Sequence, residues 1–333
     1  MRRLMSWLLV LFTLFAALFV GFYHGVSPKV PLDTSTSTST TATPPATPTP
    51  LTTMSAAAPT TTSKLYPALY LCHGAGPMPL LGDPDHVPMM TKWKEHVKDI
   101  VSRYGAPTAI AVVSAHYQTT APEVGGCPQP EMYYDYGGFP REAYSIVYPA
   151  PGAPEVAAAM VSQMQKAGLY ASLNPKRKYD HGVFVPLMAM FANASIPVIP
   201  VSVLRSDDPA EHIRMGQALR SFREQGVFFV GSGSSMHHFD RFFVPNAGKR
   251  FGDALTALLE DTTLSNEQRL AKMTNIKAFD GFSDAQPPRH HEHLMPLLTL
   301  LGTANGAAAR EAASVPFYAA NVRHYIFEEK ESA

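Results

Sequence analysis

From Leu65 onward, short apolar runs alternate with longer stretches of helical periodicity. Runs at 68–71, 110–113, 196–203 and 227–230 are brief and rich in β-branched or aromatic side chains, the pattern of strands buried on both faces. Between them, 91–104, 155–167, 209–225 and 289–301 read as helices, and 183–191 reads as a helix that is apolar all round. Pro154 stands where a first-turn proline belongs, Asp207-Asp208 open the 209–225 helix, and Gly302 stands where a left-handed cap would end the last one. Strands alternating with helices predict an α/β fold. Its expected form is a three-layer sandwich, a mixed or largely parallel central sheet flanked by helices in a single domain.

The first 64 residues follow other rules. Arg2 and Arg3 precede an almost unbroken apolar stretch over 5–23, long enough at about 1.5 Å per residue to cross about 30 Å of hydrocarbon. No small-x-small cleavage signal follows closely, so residues 1–25 are expected to be an uncleaved membrane signal anchor. With the arginines on the cytoplasmic side, this single N-terminal helix would leave the remainder luminal or extracellular. Residues 26–64 are dominated by Thr, Ser and Pro, too poor in large apolar groups to repay ordering, and are expected to form a disordered linker. The folded domain is expected over 65–329.

Charge and cysteine content narrow the function. The 27 basic and 27 acidic residues cancel and form no basic stripe, which argues against a nucleic-acid partner. Two cysteines, Cys72 and Cys127, are too few for a disulfide framework, and Cys72 beside His73 reads as a small buried hydrophobe. The histidines say more. His73, His116 and His237 each follow an apolar run and a turn of small residues. Open α/β sheets bind ligands outside the carboxyl ends of their strands, so these side chains should converge on one cleft, as in a metal site.

In chain order, His73-Gly74, Ser114-Ala115-His116, Tyr134-Asp135-Tyr136-Gly137-Gly138-Phe139-Pro140, Tyr148-Pro149-Ala150-Pro151-Gly152, Asp180-His181-Gly182, Gly231-Ser232-Gly233 with His237, and Glu292-His293-Leu294-Met295-Pro296-Leu297 form a set. This set resembles the class III extradiol ring-cleaving dioxygenases of the LigB-type superfamily, and within them the DOPA-dioxygenase branch. The resemblance implies that 65–329 is the catalytic domain and that His73, His116 and His293 hold one divalent metal. Glu292 is the alternative third ligand, because protocatechuate-cleaving relatives use a carboxylate there; the His-Leu-x-Pro-Leu pattern favours His293. His237 takes the acid/base role, with His238 as the alternative register, and His181 lines the substrate pocket. Tyr134 to Pro140 would line the entrance, and His290 and His291, which depart from the family pattern, would lie at a solvated helix start, with a ligand role as the alternative.

The chemistry is consistent with that assignment. Imidazole suits both Fe(II) and Zn(II), but only Fe(II) brings the redox chemistry that O2 requires. The expected partners are therefore a small aromatic catechol and O2, with Fe(II) as the active ion and Zn(II) as one the same ligands would accept. Two other readings stay open at this point: a non-catalytic metal-binding or signalling relative on the same fold, and a zinc hydrolase.

Overall fold

A computed structural model describes residues 65–328. One eight-stranded sheet runs through it in the order β4-β3-β5-β2-β6-β1-β8-β7. The strands are β1 (Ala68–Cys72), β2 (Ala109–Thr119), β3 (Glu123–Gly125), β4 (Ser172–Asn174), β5 (Val198–Leu204), β6 (Val227–Gly233), β7 (Arg310–Phe317) and β8 (Ala320–Phe327). Neighbours among β5, β2, β6 and β1 are parallel, whereas β8 runs antiparallel to β1 and β7, and β3 antiparallel to β5. The sheet is mixed, as the fold class expects. Every residue of β1, β5 and β6 is buried, which is why these strands read as continuous apolar runs and not as alternations.

The helices are α1 (Val87–Tyr104), α2 (Pro154–Lys166), α3 (His181–Met190), α4 (Pro209–Glu224), α5 (Lys249–Glu260), α6 (Asn266–Met273), α7 (Phe282–Ala285) and α8 (Met295–Thr303). The side-chain alternation of β6 separates two layers of them. Ser232 Oγ donates to the Gly182 carbonyl in α3 at 2.5 Å. Its neighbours Gly231 and Gly233 face the other way, where an added Cβ would meet Leu300 of α8 and the His293 carbonyl. With a side-chain period of two, α3 and α8 must cover opposite faces, and the result is a three-layer sandwich. Asp208 caps α4 by accepting from the Ala210 and Glu211 amides at 2.7 and 3.2 Å.

Three details differ from the sequence reading. The 110–113 run is the core of a longer strand, and β2 continues to Thr119 with a break in register against β5 between Ser114 and Gln118. His116 lies inside that irregularity, which re-aims the side chains that follow Ser114. The helix expected over 289–301 begins only at Met295, because Pro296 fits only a first turn and His290 upstream has a positive φ of 68°. His293 therefore sits in the turn before the helix. Gly302 is not a cap. It lies within α8 opposite Gly216 of α4, and the left-handed residues after the helix are Asn305 and Gly306.

Membrane attachment is corrected. The expected anchor, residues 1–25, and the 26–64 linker lie outside the described residues, and no helix among the described residues is long and apolar enough to cross a membrane. Even α1, at 18 residues, carries Lys92, Lys94, Glu95, Lys98, Asp99 and Arg103. The membrane partner, the transmembrane helix and the luminal or extracellular placement are dropped with it. The two cysteines are unpaired, and Cys72 is buried.

The crossing of α4 and α8 has no room for side chains. A Cβ on Gly216 would stand 1.9 Å from the Thr299 carbonyl oxygen, and one on Gly302 would stand 2.2 Å from that of Ile213. Gly216→Ala or Gly302→Ala should each lose about 1–3 kcal/mol, read as a lower urea midpoint at unchanged slope. Gly137→Ala, where an added Cβ meets nothing within 4 Å, should stay within about 0.5 kcal/mol. Equal midpoints for all the variants would contradict the close crossing.

Candidate metal centre

The parallel strands β1, β2 and β6 end on one edge of the sheet, and the histidines gather there. His73 directly follows β1, and its amide donates to the Gly233 carbonyl at 3.3 Å. His116 projects from the break in β2. The turn carrying His293 is fixed from two strands, because its carbonyl accepts from the Ser234 amide and from the Tyr70 hydroxyl, both at 2.9 Å. His116 Nε2 lies 3.1 Å from His73 Nε2 and 3.2 Å from His293 Nε2. One ligand atom from each of the three falls within 4.8 Å of the others.

The other ring nitrogen of each histidine faces an oxygen. His73 Nδ1 lies 2.9 Å from Ser232 Oγ, and because that hydroxyl gives its proton to the Gly182 carbonyl, Nδ1 must be the donor. His293 Nδ1 lies 3.0 Å from Glu292 Oε1, and His116 Nδ1 lies 3.3 Å from Asp135 Oδ2. A carboxylate only accepts, so these nitrogens too are set up to carry the proton. Burial pushes the His73 and His116 pKa values well down, each helped by the neighbouring imidazoles, so both rings are neutral near pH 7. Neutral rings protonated at Nδ1 leave Nε2 bare. Bare nitrogens 3.1–3.2 Å apart cannot hydrogen-bond to one another. A cation satisfies them, since nitrogens on neighbouring corners of a site with bonds of about 2.0–2.1 Å stand about 3.0–3.4 Å apart. The donor set fits a divalent metal with imidazole preference.

Two further histidines flank this trio. The His237 ring stacks on His293, with centroids 3.4 Å apart and planes 18° from parallel. His181 lies over His116, with ring centroids 3.8 Å apart, and its Nδ1 is 2.8 Å from Asp135 Oδ1. Their environments push them in opposite directions. Burial, reinforced by His293, drives the His237 pKa well below its ordinary value. Burial acts the same way on His181, but the charge and hydrogen bond of Asp135 outweigh it and the net shift is upward. Burial raises the Glu292 carboxyl, but contributions led by the hydrogen bond from His293 outweigh it and hold the group at about 2. Glu292 Oε2 and His237 Nδ1 are buried with no hydrogen-bond partner among the described residues.

The alternatives left by the sequence fall in different places. Glu292 stands behind His293, on its Nδ1, and not among the three Nε2 atoms. It also groups with His237 and His293 as a possible ligand set, as do His116, Asp135 and His181, but in both sets the carboxylate is already engaged by a ring Nδ1. His291 turns away: its Nε2 faces the Pro287 carbonyl at 3.1 Å and its amide donates to Asp207 Oδ2 at 2.9 Å. His290 is exposed, and His237 rather than His238 stacks on the cluster.

Asp135 was visible only as a letter in a motif. Its carboxylate reaches two histidines that lie 19 residues before it and 46 after, a contact that no local spacing encodes. Ser232 and Ser114 were read as turn residues. Ser232 orients His73, whereas Ser114 donates to buried Asp180 at 2.7 Å and caps the His116 amide at 3.2 Å. Tyr134 to Pro140 does come to the site, with the Tyr136 ring 6.0 Å from His181.

Comparison with known proteins places this arrangement. Residues 67–327 match the family model of the catalytic LigB subunit of aromatic ring-opening dioxygenase. Dioxygenase tasH of Hapsidospora irregularis is 37% identical over 260 residues, covering 74% of this chain and 80% of its own. The 4,5-DOPA dioxygenase extradiol of Mirabilis jalapa is 31% identical over 71% of this chain and 85% of its own, and that of Escherichia coli (strain K12) is 32% identical over 74% and 88%. The crystal structure of an uncharacterized protein from Escherichia coli K12 superposes with a TM-score of 0.61 at 25% identity, covering 79% of this chain and 99% of that one. The chain belongs to the LigB family of class III extradiol dioxygenases, in the DOPA-dioxygenase branch, and is an oxidoreductase that opens aromatic rings.

Proposed function

We propose that residues 65–329 form a catalytic domain in which His73, His116 and His293 hold one divalent metal through Nε2, and that it opens the ring of a DOPA-like catechol beside the two hydroxyls. The observation that carries this reading is the convergence of three bare Nε2 atoms whose Nδ1 atoms each face an oxygen acceptor. Fe(II) bound there would supply the redox chemistry of O2, which Zn(II) lacks. Three protein ligands also leave positions for the two catechol oxygens. The relatives reported above carry dioxygenase names, which favours ring opening over the hydrolase and non-catalytic readings.

The chain's own residues divide the remaining work. His237, neutral and stacked beside His293, takes a phenolic proton from the bound catechol and returns it as the ring opens. His181 has its Nδ1 committed to Asp135, so Nε2 is the nitrogen it offers to a substrate oxygen. Environments that shift two histidines apart suit one for accepting a proton and the other for donating a hydrogen bond. Tyr136 beside His181, and Phe239 with its ring 4.9 Å from that of His237, give aromatic flanks for the ring of the substrate.

Two measurements test these roles. His73→Ala, His116→Ala and His293→Ala should each strip metal from a folded protein after anaerobic purification, whereas His291→Ala should leave the content at the wild-type level. Full occupancy in His293→Ala would move the third ligand elsewhere. His237→Gln should lower ring-cleavage turnover, followed as O2 uptake with a catechol panel, by about 10²–10⁴-fold while metal content stays near wild type. Loss of metal in that variant would make His237 a ligand and pass the proton transfer to His181. An equally large rate loss confined to His238→Ala would contradict the register.

A further inference from the structure

Asp135 lies in the loop after β3, outside every strand and helix, yet it touches two of the clustered histidines. Oδ1 accepts from the His181 amide at 3.0 Å and from His181 Nδ1 at 2.8 Å. Oδ2 lies 3.3 Å from His116 Nδ1. The loop is not free to carry the carboxylate away. The Tyr133 amide donates to the Tyr179 carbonyl at 2.7 Å, the Tyr179 amide to the Glu131 carbonyl at 2.9 Å, and the Tyr136 hydroxyl to the Ala143 carbonyl at 2.8 Å. The loop is thus laced to the segment that leads into α3, and the carboxylate is presented at a fixed height between the two rings.

We infer that Asp135 is a positioning residue that ties a ligand of the metal site to the substrate-side histidine, by keeping a proton on Nδ1 of both His116 and His181. The inference rests on the proposed ligand set. Its argument is one of hydrogen-bond inventory. A carboxylate offers acceptors on both oxygens: here Oδ1 accepts from two N–H groups of His181, and Oδ2 faces His116 Nδ1 at 3.3 Å. An amide of the same shape cannot replace it. If the oxygen of the amide in Asp135→Asn keeps the two donors of His181, its NH2 group faces His116 Nδ1. That nitrogen must then become an acceptor, and its proton passes to Nε2, the atom needed for the metal. If the amide is turned over, NH2 meets the His181 amide donor to donor and His181 comes loose. Neither orientation preserves both histidines.

Outer-shell partners of ligating histidines typically contribute about 10–100-fold in metal affinity. The full chain should accordingly bind Zn(II), by competition with a chelator, about 10–100-fold more weakly as Asp135→Asn than as wild type. A second measurement reads the proton in the wild-type fold. In metal-free wild-type protein labelled with 15N-histidine, the ring signals assigned to His116 through their loss in His116→Gln should show the proton on Nδ1. A proton on His116 Nε2, or equal Zn(II) affinity in Asp135→Asn and wild type, would overturn the role given to Asp135 while leaving the site in place. A wild-type chain that takes up no Zn(II) at all would instead overturn the site itself.

Discussion

The centre depends on where three imidazole protons reside. Each of His73, His116 and His293 has its Nδ1 turned to an oxygen, from Ser232, Asp135 and Glu292 respectively. That leaves three lone pairs pointing at one another in a place where burial disfavours a charged ring. Such a cluster is a poor hydrogen-bonded core and a good cation site. The cost of assembling it without an ion is carried by the surrounding fold, which has to be rigid.

The sheet supplies that rigidity. Parallel β1 and β2, with β6 between them, bring His73, His116 and the Gly231–Gly233 stretch to a common edge, while β6 alternates its side chains between the two faces. Ser232 points toward α3 and orients His73; glycine at 231 and 233 lets α8 and the His293 turn come in close from the other side. The same strand therefore orders one of the clustered histidines by a hydroxyl and admits another by lacking side chains. Replacing Gly233 with a larger residue would push the His293 turn out of reach, since an added Cβ there would stand 2.0 Å from the His293 carbonyl oxygen.

Much of this was legible in the sequence because it is written in local patterns. The buried parallel strands are unbroken apolar runs, and the five histidines that meet at the centre, His73, His116, His181, His237 and His293, all stand in short motifs beside glycine, serine or proline. What stayed hidden has no local signature. β3 and β4 are three residues long, and β7 is a half-exposed edge strand whose burial follows no clean period of two. Gly302 has the composition of a cap, and only its meeting with Gly216, 86 residues earlier, makes it a crossing point. Asp135 and Glu292 act through atoms set by tertiary structure, so their letters alone gave a loop residue and a rival ligand.

The most direct test of the account is anomalous diffraction from crystals of the metal-loaded full chain. A single ion should appear bonded to Nε2 of His73, His116 and His293 at about 2.0–2.2 Å, with each Nδ1 still on its oxygen partner. An ion held by His237 and Glu292, or bonded through any Nδ1 of the three, would contradict it.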